Sequence, residues 1–337
     1  MDWFPVDRWP RCRRGGNGGR APGDRCQTSC VCRCASLMWE PSKGVKMRSD
    51  KALRNAFRRL QLSTADDPKV AVGMLLAALP DDVRRGWDAL EFDNEGRVAF
   101  AYQHPQYAHL LTAGFTCPTF REELEWILAQ FEEGLPDGDV LDIGAGAGVT
   151  AAVIALATKR SVMACDPAAG SSEAVEHVAD TVGVQVCAIE SSVGDLAREV
   201  LENTAVVIAQ SVLAYFEFEA ECDCRVEERS AFISALSTVG DVLVIEHATN
   251  VSLDDGSATW RAFTSAMSDA GMYPVWQTAS IASGYSVMIP DVPAYQRPMY
   301  ARPKLCLRFS KTGDPRGTEM RLESLLAENP VGAGLAD

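Results

Sequence analysis

Apolar and polar positions first fall into register from Met47. In SDKALRNAFRRLQL, Leu53, Ala56, Phe57 and Leu60 share one helical face, and Arg54, Arg58 and Arg59 lie off it. Pro68 stands where a first helical turn tolerates it, ahead of KVAVGMLLAAL. EFDNEGRVAFAY (91–102) alternates at Val98, Phe100 and Tyr102 after an Asn94-Glu95-Gly96 turn, which predicts a short hairpin. Pro118 opens TFREELEWILAQF, where Leu124, Ile127, Leu128 and Phe131 recur at the helical period. Residues 47–135 therefore read as a mainly helical leading region, closed by a turn at Asp137-Gly138-Asp139.

Beyond that turn the period alternates. The apolar runs DVLDIG, SVMAC, VQVCAI, TAVVIA and DVLVIEH each precede a helical stretch: AGVTAAVIALATK, SSEAVEHVADTV, LAREVLE, RSAFISALS and ATWRAFTSAMSDAG. Short strands separated by crossover helices predict an α/β, doubly wound, mostly parallel sheet, seven-stranded once PVWQTA and KLCLRFS are added as a closing pair of edge strands. SGYSVMI and the proline-rich DVPAYQRP lie between those two. This domain spans 136–310. Residues 311–337 carry little apolar mass beyond a short helix near Leu322–Leu326 and read as a loose C-terminal tail.

Charge divides the chain. The net charge is −14, yet residues 1–60 hold 14 Lys/Arg against 5 Asp/Glu, so the acidity belongs to the remainder. An acidic body repels phosphate backbones. The arm 1–46, with RCRRGGNGGRAPGDR (11–25), has no apolar period and reads as unstructured; through residues 1–60 it offers the one route to RNA. Cys26, Cys30, Cys32 and Cys34 cluster there without paired C-x-x-C spacing or a nearby histidine, so no metal site is expected. Met38 and Met47 are alternative starts. Eleven cysteines, with Cys165 and Cys187 inside apolar runs, suit reduced thiols in a cytoplasm. No apolar run approaches the ~18 residues of a membrane span, and the N-terminus lacks the apolar core of a signal peptide.

The chemistry centres on VLDIGAGAGVTAAVIALA (140–157). Asp142, Gly144, Gly146 and Gly148 form D-x-G-x-G-x-G where a strand hands over to a helix. Bare backbone permits the sharp turn and lets a ligand press close. Asp166, at the tip of the second strand, can accept both hydroxyls of a ribose, so a nucleoside-bearing ligand is implied. A dinucleotide fingerprint, G-x-G-x-x-G/A, fails from Gly144 but fits from Gly146 to Ala151. Against it, Asp142 would repel a pyrophosphate and would suit a ligand with an ammonium group.

VLDIGAGAG resembles the first motif of the class I S-adenosylmethionine-dependent methyltransferases, and ACDP (164–167) resembles their second-strand motif; the likeness extends, more weakly, over about Asp139 to Ser310. It implies a Rossmann-like methyltransferase fold with S-adenosyl-L-methionine as cofactor. It also implies that Asp142, Gly144, Gly146 and Gly148 hold the methionine end and that Asp166 holds the ribose. Glu190 or Asp195 after the third strand would meet the adenine, and Gln210 stands at the tip of the fourth.

For the methyl acceptor, the candidates are His247 and Glu246 at the end of the fifth strand and Tyr215 after the fourth. Histidine titrates near neutrality and can take a proton from a hydroxyl or amine; its plainer role is to cap the strand loop by hydrogen bonding. Tyr215 either lines an acceptor pocket or packs in the core. The fourth strand ends in AQSV, not the N/D-P-P-Y/F tetrad, and no Pro-Cys pair follows it, which lowers methylation of nucleic-acid bases. The acidic run EFEAECDCRVEE (217–228) either recruits a basic acceptor or is a solvated loop. The expectation is O- or N-methylation of a small molecule. RNA or protein methylation, an NAD(P)-binding oxidoreductase and a non-catalytic binding protein are the alternatives.

Overall fold

The computed structural model describes residues 49–60, 118–168, 170–216, 218, 223–247, 257–282 and 304–327. All of them belong to one compact unit, Gly44–Asp337. The Cys26–Cys34 cluster, the helix after Pro68, the 91–102 hairpin and the DVPAYQRP stretch lie outside the described residues.

Five apolar runs became parallel strands: β1 Asp139–Ile143, β2 Val162–Asp166, β3 Cys187–Glu190, β4 Thr204–Gln210 and β5 Asp241–His247. β2 and β4 flank β1, β3 lies outside β2, and β5 lies outside β4. The order reverses between β1 and β4, so a crevice opens beyond their carboxyl ends, where sheets of this kind take ligands.

KLCLRFS forms β8, Lys304–Ser310, antiparallel to β5 along its whole length. It is not an edge strand, as the sequence suggested. β6 (Tyr273–Pro274) and β7 (Ser280–Ala282) both pair with its far side and share the seventh rank of the sheet, broken by a 3-10 turn at Trp276–Thr278. The reason is chemical. β8 is buried on both faces: Leu305, Leu307 and Phe309 enter one core, while the other face carries Cys306 with Lys304 and Arg308, whose charges are paired with Glu123 and Asp241. A strand of that kind belongs in a sheet's interior.

Helices close both faces. On one side lie α1 (Ser49–Arg59), α2 (Pro118–Glu133), α3 (Val149–Thr158) and α4 (Ser171–Val182). Pro118 heads α2, where its missing N–H is harmless. α3, VTAAVIALAT, is apolar around its circumference and is buried from Val149 to Ala157, because α1 and α2 cover the flank that the sheet does not. α1 buries Ala52, Leu53, Ala56 and Phe57 in this layer. On the other side lie α6 (Asp223–Thr238), α7 (Ser257–Asp269) and α8 (Thr318–Ala327), with the short α5 (Arg198–Asn203) leading into β4.

Over 318–327, α8 corrects the reading of the C-terminal tail as loose. Leu322 and Leu326 are buried in the second core, and Glu323 accepts from Arg261 of α7. Two leucines one turn apart suffice to seat a ten-residue helix that has an apolar strip to land on.

Candidate ligand crevice

The turn after β1 needs three left-handed residues: Gly144, Gly146 and Gly148 have φ of 67°, 53° and 75°. Their duties differ. A Cβ on Gly144 would stand 2.3 Å from Val212 Cγ1, so this glycine lets the turn after β4 close in. A Cβ on Gly148 would stand 2.8 Å from Val175 Cγ2, so this one lets α4 approach α3. A Cβ on Gly146 would meet nothing within 4 Å. That open side is where bare backbone is offered to a ligand.

Asp166 binds the tip of this turn to β2. Its Oδ2 accepts the Gly146 N–H at 2.9 Å and its Oδ1 accepts the Ala168 N–H at 2.9 Å. Ser171, at the start of α4, donates to the Gly146 carbonyl at 2.6 Å. Burial pushes the Asp166 carboxyl above the usual range, and the two backbone donors partly offset this.

Asp142 lies deeper and is 2% exposed. The Ala151 N–H of α3 donates to it, while Oδ2 is buried without a hydrogen-bond partner. Burial first, and the neighbouring Asp166 second, push its carboxyl up to about 8. The Cys165 thiol beside both acids is pushed up to about 12, mainly by burial. Two buried carboxylates around a bare turn, with one oxygen unanswered, fit a ligand that brings a positive charge and hydroxyl donors. They do not fit a pyrophosphate.

The other sequence candidates fall around this centre. Glu190 ends β3 opposite Asp166 in register and is exposed. Asp195 is exposed on a 3-10 turn, Val193–Asp195, and accepts the Ser192 hydroxyl at 2.8 Å. Gln210 points into the protein's own hydrogen bonds: Oε1 accepts from Thr150 Oγ1 at 2.9 Å, and Nε2 donates to Glu123. Glu246 is buried and uses its oxygens on the Leu213 and His247 N–H groups, each at 2.9 Å, tying the turn after β4 to the tip of β5. His247 is half-buried, and its carbonyl accepts from Trp260 Nε1. Tyr215 is 45% exposed on the 3-10 turn Leu213–Phe216. Val212, just ahead of that turn, touches the glycine turn and Leu213 binds Glu246, so one short stretch joins the donor-side and acceptor-side candidates.

Sequence reasoning missed the polar chain below Gln210. Glu123 of α2 is fully buried and pairs with Lys304 of β8 at 3.1 Å. Lys304 also donates to Ser211 Oγ at 2.6 Å and lies 4.4 Å from the Phe120 ring centroid. Ser211 holds a left-handed φ of 57°. One signal was present: Glu123 stands four residues before Ile127, on the face that α2 buries.

A hollow of about 360 Å³ opens elsewhere, between α2 and the β7–β8 edge, lined by Trp126, Glu125, Ile281 and Cys306 among others. It shares no lining residue with the glycine turn, so the strand order and the paired acids, rather than that hollow, locate the chemistry.

No protein-family model and no curated protein matches the chain. Solved structures do. A magnesium protoporphyrin IX methyltransferase from Synechocystis PCC 6803, with bound SAM, is similar at 17% identity and a TM-score of 0.41, over 74% of this chain and 99% of that one. A geranyl diphosphate C-methyltransferase from Streptomyces coelicolor A3(2), solved with Mg2+, geranyl diphosphate and S-adenosyl-L-homocysteine, is similar at 13% identity and a TM-score of 0.42, over 57% and 80%.

Proposed function

We propose that this chain is an S-adenosylmethionine-dependent methyltransferase acting on oxygen or nitrogen of a small-molecule acceptor. The observation that carries the reading is the Asp142–Asp166 pair around an open Gly146, at the point where the strand order reverses. The sheet also departs from the dinucleotide-binding order, which continues with a sixth parallel strand; here antiparallel β8 takes that place.

When bound, the donor supplies a sulfonium-activated methyl group. The chain's own residues bind and orient it. Asp142 Oδ2 would accept a hydrogen bond from the donor's ammonium group. The Gly144–Gly148 backbone lies along the methionine end. Each Asp166 oxygen accepts one backbone N–H and retains a lone pair for a ribose hydroxyl. Glu190, adjacent to Asp166 on β3, or Asp195 on the following turn, meets the adenine. Most of the catalysis is then orientation. His247, held at the tip of β5 by its Trp260 bond, is the proton acceptor we assign for the methyl acceptor, and Tyr215 lines that side.

The acidic body favours a small acceptor over RNA. Cys165 and Cys306 are buried free thiols, but Cys187, expected from the sequence to be a reduced thiol, is disulfide-bonded, so the cysteines lend no support to a reducing compartment.

Titration calorimetry tests the reading. S-adenosylmethionine and its demethylated product should bind at micromolar levels, and Asp142→Ala or Asp166→Ala should each weaken binding tenfold or more, since a charge-assisted hydrogen bond contributes about 1.5–3 kcal/mol. His247→Ala should leave donor affinity unchanged while turnover falls. A preference for NADH over S-adenosylmethionine would transfer the site to hydride chemistry.

A further inference from the structure

Asp142 and Asp166 pose an electrostatic problem that the described protein does not solve alone. Asp142 faces Asp166 of β2, while the Cys165 thiol, on the other side of the sheet, feels the charge of both acids. It is flanked in register by Ala164 and Ile208, which carry no charge. α3 presents Ala151 and Thr150, and the turn presents glycines and alanine. Among the described residues no basic side chain acts on it. Lys304, the buried cation beyond Gln210, is paired with Glu123. Two neighbouring buried carboxylates without a cation do not both ionise.

We infer that in the ligand-free protein the Asp142–Asp166 pair holds one proton, and that a cationic donor displaces it on binding, so charge selects the ligand as much as shape does. This rests on the methyl-donor reading of the crevice. The orphaned Oδ2 of Asp142 is the geometric sign: that oxygen has no donor until a ligand brings one. An incoming ammonium or sulfonium lowers the acid's pKa, and the proton leaves to solvent.

The test is calorimetry of S-adenosylmethionine binding between about pH 6 and pH 9, in buffers of differing ionisation enthalpy. With the acid raised to about 8 in the free protein, donor binding should release a proton at about pH 6–7, and the release should shrink as pH rises through about 8. Affinity should rise with pH up to about pH 7.5 and fall again above about pH 8, where the donor's own α-ammonium deprotonates. Asp142→Asn, permanently neutral, should lose both the proton release and the rise.

Should that variant fold poorly, the wild-type protein gives a second measure. An acid whose folded pKa lies above its unfolded value stabilises the fold while protonated; that contribution is full below about pH 4 and is lost as pH rises through about 8. The melting temperature without donor should therefore fall across this window, and saturating donor should flatten the fall. Donor binding with buffer-independent heat and flat affinity would overturn the inference and leave the methyl-donor reading intact. No donor binding at any pH would overturn both.

Discussion

Gly144 and Gly146 both have left-handed φ but different surroundings, and substitution should separate folding from binding. Gly144→Ala drives a methyl into Val212, so the turn after β4 must move; we expect a loss of about 2–4 kcal/mol in urea denaturation, strain and overpacking together. Gly146→Ala meets open space and bears only the left-handed strain of about 1 kcal/mol, so its melting curve should shift little. Its new methyl, however, stands where backbone is offered to the ligand. S-adenosylmethionine affinity should fall by at least tenfold in Gly146→Ala. An unchanged affinity would place the donor elsewhere.

The tie between α2 and β8 belongs to the scale of elements. Lys304→Met would leave Glu123 buried without its cation, at a cost of about 3–5 kcal/mol in stability. Glu123→Gln together with Lys304→Met removes both charges and should recover most of that loss, since a buried pair contributes little net stability. Denaturation of the two variants checks this. The pair also marks what the sequence could disclose. β1 to β5 and the helices between them were legible because each run is local and bounded, and the glycine turn with Asp142 and Asp166 was legible as a motif. The contact of Glu123 with Lys304 spans 181 positions, and no local pattern encodes it. Gln210 was legible as a residue at a strand tip, but its amide is engaged by Thr150 and Glu123, partners that only the folded chain supplies. The interior rank of β8 was hidden likewise: its alternation of Leu305, Leu307 and Phe309 with Lys304, Arg308 and Ser310 reads as a half-exposed edge strand, and only the fold supplies Glu123 and Asp241 to bury the two cations.

For the molecule as a whole, the C-terminal stretch is structural. α8 rests on α7, and β8 fills the rank beyond β5. Leu322→Ala should therefore cost about 2–5 kcal/mol, as for other buried leucines, whereas a free tail would tolerate it; chemical denaturation distinguishes the two.

The late arrival of β8 also governs how the protein is made. On the ribosome, β5 emerges well before its antiparallel neighbour and waits with an open, strongly apolar edge until Ser310 has been delivered. Synthesis halted ahead of Lys304 would leave that edge for other nascent chains to pair with, so such products should pellet on centrifugation while the full chain stays in the supernatant.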